Sequence, residues 1–545
     1  MSFFDKDERL LLPEWLKTGN ALNSYEVKPF SDVRSEPLED NTDMLYEEFS
    51  NNKSLDKAIE LLNISFIENR EAESRIAAKY VVQGFDLPPQ ILNLAKYVLK
   101  GGMEFDEEQD EKKTAIGLTR DWLRENPKDT LGWLDLAREY AAIGKMDAAE
   151  KAITVSLNLQ PHHRLVVRNA SRFFVNRNQN DIAHKILLKQ PNLKEDPWLL
   201  SAEIAVAESY NRPQKLVNHA RRIIDSRKYA ASHLTELESS IATLELSNGL
   251  IKKARKLYVS SLEKPTDNSL AQAKWAERSS HIPNLVSSDL LANHQGAYEA
   301  KFWEKYYKYE IPEAIELGLK WFNEEPYSVQ PAIMVSYLAS LLDDYVLCLR
   351  ITKLGLNIDK NNEILQLNKV FSELCLLTTE NQYEIDEFFH EHEILLKFLT
   401  KKEDKVTVGQ AYANLGLLHY KANQPDLGRE YYDMASETFA KIKSTSYLVA
   451  LMNHYRESVI SKSPWADELF DKMSNEVINF NSKKEPAIIY YFAKMSLLKE
   501  NPLRWEDVKA AKLDLSFLNK DSVSKERVVS FDYDPKNPTI TISKK

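Results

Sequence analysis

Arg164, Arg168 and Arg172 recur at every fourth residue of "HRLVVRNASRFFVNRNQ". In a helix that interval returns side chains to one face, so the stretch would align three guanidiniums. Planar, permanently charged forks of this kind suit bidentate recognition of carboxylate or phosphate. They suit pairing with acids on neighbouring helices equally well. Leu165, Val166, Phe173 and Phe174 supply apolar material for the other side, with Phe174 the core candidate. A second constellation, "KFWEKYYKYE" at 301–310, interleaves aromatics with lysines. It reads either as a stacking platform for bases or, through Tyr298, Phe302, Tyr306 and Tyr309, as a stripe packed between helices. Trp303 and Tyr307 are the members of this cluster assigned to partner contact.

Other chemistry is sparse. "HEHE" at 390–393 places His390 and His392 two residues apart, on nearly opposite faces of a helix, and does not meet the H-E-x-x-H order of a zinc protease. "PHH" at 161–163 reads as a turn at a helix junction. The sequence contains neither a phosphate-cradling G-x-x-x-x-G-K-[ST] nor a strand-linked G-x-G-x-x-G. Cys348 and Cys375 lie in apolar helical patterns without metal-ligand spacing, which fits a reducing compartment. The expectations are therefore no metal, no cofactor and no catalytic centre.

The elements that must position these residues are helices. The chain has only 14 glycines against 21 prolines, while twisted sheets and phosphate loops consume glycine. A hydrophobic content of 43% is enough for packed cores. The formal net charge of −10 lacks the basic footprint of a general nucleic-acid binder, so nucleic acid is the lesser expectation. The opening "MSFFDKDERLLLPEW" does not read as a signal peptide, and apolar runs such as "PAIMVSYLASLL" at 331–342 are too short to span a membrane. The expected location is the cytoplasm, without a membrane partner.

Internal repetition is the strongest signal. In "GWLDLAREYAAIGKMDAAEKAITVSLNLQP", Trp133, Leu136, Ala137 and Tyr140 form one helical stripe, Gly144 breaks the helix, and Ala149, Ile153 and Ser156 continue on a second helix ended by Pro161. "AYANLGLLHYKANQPDLGREYYDMAS" repeats the scheme with Tyr412, Leu415, Gly416, Gly428, Tyr432 and Ala435. Weaker copies keep Gly249, Ala254 and Tyr258, or Ala170, Phe174 and Ala183, and others continue to about residue 500. These stretches resemble the 34-residue tetratricopeptide (TPR) family. "KFWEKYYKYE" and "ARKLY" at 254–258 are similar to the half-TPR (HAT) units of RNA-processing assemblies. The stretch from His163 through "DPWLLSAEIAVAE" looks similar to large bacterial TPR proteins.

The resemblance implies an all-α, right-handed superhelical solenoid of antiparallel helix pairs, with a small extended or β-like C-terminal tail. Residues 1–50 would form an arm or cap, 51–500 the solenoid (clearest repeats 130–163 and 409–442), and 501–545 a tail with a short hairpin. The charged run "EFDEEQDEKK" at 104–113 reads as a linker. The resemblance further implies that Arg168, Arg172 and Arg138 face a concave groove, because they fall at the groove-facing fifth and ninth positions of first helices. Pairing within the chain, for instance with Glu203 at the equivalent position of the next repeat, is the competing reading. Lysine and asparagine at those positions, the family's clamp for chaperone carboxyl termini, are replaced by Leu134 and Arg138 in one strong repeat and by Ala413 and Leu417 in the other. The implied function is a non-enzymatic scaffold or adaptor of a multi-protein system, holding one or more proteins in its groove, through an acidic segment of the partner if the arginines serve. The alternatives are a component of an RNA-processing assembly and an enzyme with a helical-repeat body.

Overall fold

The computed structural model describes residues 41–500, apart from 68–69, 85–86, 101–107, 211, 227, 279–281, 378–381 and 480–484, together with strands at 512–514, 529–534 and 537–544. Of the expected arm at 1–50, residues 1–40 lie outside the described residues and 41–50 are helical. Two compact units contain the rest: one holds 41–301 and 320–328, the other 302–319 and 329–500 with the strands. Both are stacks of helix pairs, so the chain is an all-α helical-repeat protein with a small β element.

In the N-terminal unit, α1 (Asn41–Asn51), α2 (Leu55–Ile67), α3 (Glu71–Val81) and α4 (Pro89–Lys100) share a core built on Phe49, Leu61, Ala77 and Ala95. Alternating large and small residues let neighbouring helices interdigitate. α5 (Glu108–Glu125) packs on α6 (Thr130–Ala142), which pairs with α7 (Met146–Leu159). Residues 108–113 of the expected linker are thus the first turns of α5. Three further pairs follow: α8 (Arg164–Asn176) with α9 (Asn180–Leu188), α10 (Pro197–Ser209) with α11 (Val217–Ser226), and α12 (Ala231–Ser247) with α13 (Ile251–Ser261). α14 (Asp267–Arg278) and α15 (Ser288–Asn293) share a core with Ala254 and Tyr258 of α13. Successive first helices α6, α8, α10, α12 and α14 also touch one another, forming a continuous row.

α16 (Tyr298–Tyr307) and α17 (Ile311–Glu324) contain the unit boundaries. The C-terminal unit continues with α18 (Gln330–Leu341), α19 (Tyr345–Ile358), α20 (Glu363–Leu376) and α21 (Gln382–Leu399). The strongest pair is α22 (Lys405–Lys421) with α23 (Pro425–Lys441), followed by α24 (Ser446–Ile460), α25 (Ala466–Asn479) and α26 (Pro486–Glu500). Here the row of first helices is α18, α20, α22, α24 and α26. A three-stranded sheet of order β1-β3-β2 follows, in which β2 (Val529–Asp534) and β3 (Asn537–Lys544) pair antiparallel and β1 (Lys512–Asp514) lies parallel to β3.

One turn recurs between the helices of a pair. Gly144, Asn178, Gly249, Tyr309, Asp343, Asn423 and Lys462 all adopt positive φ, between 54° and 75° where their neighbours are helical. In each case the following amide donates to the carbonyl five residues back: Lys145 to Tyr140 at 2.8 Å, Gln179 to Phe174 at 2.8 Å, Asp344 to Ala339 at 3.0 Å, Ser463 to Ser458 at 2.8 Å. This is the closure that satisfies the last carbonyls of a helix through one left-handed residue. Glycine adopts that conformation freely, whereas Tyr309 and Lys462 pay a steric cost there.

Close packing fixes the strongest pair. A Cβ on Gly416 would lie 2.6 Å from Cδ2 of Tyr432, and one on Gly428 would lie 2.6 Å from Cδ2 of Tyr420. Each tyrosine therefore rests on the glycine of the opposite helix, and the pair locks reciprocally.

Candidate functional site

The arginine row of α8 lies inside the N-terminal unit. Arg164, Arg168 and Arg172 are only 6%, 1% and 6% exposed. Arg164 faces Asp196, the residue that caps α10, at 3.5 Å. Nη2 of Arg168 is 3.9 Å from Oε2 of Glu236 on α12, and its guanidinium lies 4.6 Å from the Trp198 ring centroid. Glu236 also accepts from the Thr266 hydroxyl, and from Nδ2 of Asn268 at 2.7 Å. Arg172 pairs with Glu325 at 2.9 Å, and Nη2 of Arg138 donates to the Asn323 carbonyl at 3.3 Å.

The expectation of an open cationic groove is thereby corrected for Arg168 and Arg172. Each spends its charge on an acid of another element, and the row is buried. The acid expected for that role is also different: Glu203 pairs with Nε2 of His184 at 3.1 Å. Phe173 and Phe174 are both buried, and Phe173 meets Tyr327 edge-on at 5.0 Å. Nearby, burial first and the adjacent Glu139 second push the Asp135 carboxyl well above its ordinary range.

The aromatic cluster of α16 is likewise packed on itself. Trp303 is 5% exposed, edge-on to Phe302 at 5.0 Å and to Tyr306 at 5.7 Å. Tyr307 is half-buried and stacks on Trp303 at 6.2 Å. The Tyr306 hydroxyl donates to Glu485 at 3.4 Å. Trp303, assigned to partner contact, is thus closed in by neighbouring rings, which offer no base a place to stack on it.

His392 of "HEHE" is tied down by the Phe388 carbonyl at 2.8 Å and by Glu373 at 3.0 Å, while His390 is exposed. Among the described residues no three His, Cys, Asp or Glu gather as metal ligands. Burial pushes the Cys348 thiol up to about 12, away from nucleophilic chemistry.

The residues that do line an opening belong to the first helices of the C-terminal unit. A cavity of about 100 Å³ lies among α18, α20, α22 and α24. Its polar lining holds four carboxamides, Asn368, Gln410, Asn414 and Asn453, with the hydroxyl side chains of Ser340, Thr445 and Ser446 and the rings of Tyr337 and Phe371 beside them. Most of the carboxamides are anchored at one end. Nδ2 of Asn368 donates to the Ser336 hydroxyl at 2.8 Å, Nδ2 of Asn414 to the Leu367 carbonyl at 2.9 Å, and Oδ1 of Asn453 accepts from the Tyr491 hydroxyl at 2.6 Å. Oε1 of Gln410 is buried and makes no hydrogen bond among the described residues.

Beneath this row runs a buried ionic cluster. Asp343 accepts from Lys494 at 2.5 Å and lies 3.8 Å from Arg456, which contacts Glu457 at 2.8 Å. Nη1 of Arg456 also donates to the Tyr345 and Tyr491 hydroxyls, each at 3.1 Å. Burial alone would raise the Glu457 carboxyl, but the Arg456 and Lys421 charges hold it below its ordinary range. Tyr491 joins the two layers, because its hydroxyl accepts from the arginine and donates to Asn453. The ionic cluster therefore sets the orientation of a groove-lining carboxamide.

Neither a family model nor a curated protein matches the chain. Solved structures do. A human IFIT1 dimer with PPP-AAAA is 10% identical over 73% of this chain and 94% of its own, with a TM-score of 0.29. Yeast Tom70 is 11% identical over 84% of this chain and 96% of its own, with a TM-score of 0.28. Likeness at that level carries no argument about ligands. The repeat architecture rests on the helix pairs and on the turns that close them.

Sequence reasoning missed the asparagines. Asparagine is a poor residue for a helix interior, and its recurrence on three alternate helices was the available signal. No helix among the described residues is long and apolar enough to cross a membrane.

Proposed function

We propose that the chain is a non-enzymatic scaffold or adaptor whose C-terminal unit holds an extended segment of a partner protein across Asn368, Gln410, Asn414 and Asn453. The observation that supports this is the half-tied carboxamide row. An amide fixed at one end offers the other to main-chain N–H or C=O, whichever the partner presents. Side chains pre-oriented by the protein lose little freedom on binding. A cavity of about 100 Å³ suits one anchoring side chain beside Phe371. It falls short of the roughly 300 Å³ at which small-molecule and cofactor sites begin. With both cysteines free, the reading suits a reducing compartment such as the cytoplasm.

The test is affinity purification with mass spectrometry, comparing the wild type with Gln410→Ala/Asn414→Ala. A protein recovered with the wild type and lost from a variant of unchanged helical content supports the groove. Equal recovery of every partner by both forms removes it. Recovery of RNA by the wild type, lost from the variant, would replace it with the RNA-assembly alternative.

A further inference from the structure

A second opening lies in the other unit, in residues that the carboxamide groove does not use. Between α5 and α7, over α6, is a cleft of about 440 Å³. Its floor is apolar, formed by Leu123, Leu136, Ala152 and Val155, with the half-buried rings of Trp133 and Tyr140 along it. In a stack of helix pairs, such a stripe on a first helix is normally covered by the second helix of the preceding pair. Here α5 covers it incompletely. On the same face of α5, Gly117 stands mid-helix with nothing within 4 Å of the place its Cβ would occupy.

The walls are positively charged. Arg120 and Arg124 line the cleft from α5 and Lys151 from α7, and no carboxylate joins them in the lining. Arg124 is shared with the exposed Asp121 at 2.5 Å, whereas Arg120 and Lys151 are exposed and make no ion pair among the described residues. We propose that this cleft binds a short amphipathic helix of a partner protein, its apolar face laid on Trp133 and Tyr140 and its acidic edges held by Arg120 and Lys151. The floor residues on α6 and α7 each extend over about two helical turns, the length over which a docked helix presents anchors at i, i+3 or i+4, and i+7. Cations on both walls match acids on both edges of such a helix. The lining lacks a carboxylate or carboxamide with which to read a base edge. The chain's net charge of −10 also opposes a polyanion more than a short acidic helix.

A display library of helical peptides, about 14 residues long to cover the cleft, is selected on the full chain. Binding of the winners is then measured by anisotropy against the wild type and Arg120→Glu/Lys151→Glu, with circular dichroism confirming equal helicity. Both substitutions lie on exposed side chains, so the fold is expected to survive. The expected winners carry apolar residues at i, i+3 or i+4, and i+7 flanked by Asp or Glu. They lose roughly tenfold or more in affinity to the variant and weaken in about 0.5 M salt. Winners without acidic flanks, winners that bind the variant equally, or an absence of enrichment would each overturn the proposal. So would a 5′-phosphorylated oligonucleotide that binds the wild type and displaces the peptide. Because the cleft and the carboxamide groove share no lining residue, failure here leaves the groove untouched.

Discussion

Replacing Arg168 with methionine tests whether the arginine row cements the fold or serves a ligand. Methionine keeps most of the apolar stem against Trp198 and removes only the charge. The guanidinium lies 3.9 Å from Glu236, and both side chains are 1% exposed. At an effective dielectric constant near 20, that separation gives an attraction of about 4 kcal/mol. Breaking a buried pair by removing one partner costs about 3–5 kcal/mol, because the remaining charge is stranded. For a unit of this size about 2 °C of melting temperature accompanies each kcal/mol, so Arg168→Met should lower the midpoint by roughly 6–10 °C. Glu236→Gln should cost a similar amount, since it strands the buried Arg168 guanidinium in turn. The double variant should be more stable than the sum of the two single losses, by about 2 kcal/mol. The assay is thermal melting followed by circular dichroism at 222 nm. A midpoint for Arg168→Met within about 1 °C of the wild type would refute the reasoning, because a stranded buried carboxylate cannot be neutral in energy.

Two further outcomes follow from the same geometry. Lys462 is exposed and left-handed at φ 54°, so Lys462→Gly should raise stability by about 1 kcal/mol, read as a higher urea midpoint; a lower midpoint would show that the turn is not strained. His454 is 1% exposed, and burial, aided by Arg429 and Lys472, pushes its ring down to about 3. Its unfolded value is about 6.5, so the stability it contributes is present above that pH and is lost as pH falls toward 3. Between pH 6.5 and 5 the wild type should lose about 2 kcal/mol relative to His454→Gln, and parallel urea midpoints for the two would contradict this.

Much of the fold was legible because repetition multiplies a weak signal. Trp133, Ala137, Tyr140, Gly144 and Ala149 each carry little information alone, but the same scheme returns at Tyr412, Gly416 and Gly428. Gly144 and Gly249 betray their turns because glycine is the residue a left-handed position favours. Tyr309 and Lys462 hide theirs, since neither residue type announces positive φ; only the neighbouring helices make the turn obligatory. The unit boundary within α16 and α17 was also invisible. A helix that passes from one compact unit to another keeps its period, and composition does not change there.

The site was less legible for a reason that concerns burial rather than motif. The spacing of Arg164, Arg168 and Arg172 puts the residues on one helix face, and that much local geometry dictates. Whether the face meets solvent depends on elements far along the chain. Glu236 and Glu325 are the acids that neutralise Arg168 and Arg172, and neither lies in the next repeat, where Glu203 was sought. Glu203 is itself taken by His184 from the preceding helix pair. Cations that pair so far away in sequence look available when only neighbouring repeats are considered. Exposed cations such as Arg120 and Lys151 form no periodic row because they sit on opposite walls of a cleft. Periodicity along one helix therefore finds charges that share a face. A docking surface is assembled across helices, and its signature is an aromatic stripe that the preceding helix leaves uncovered.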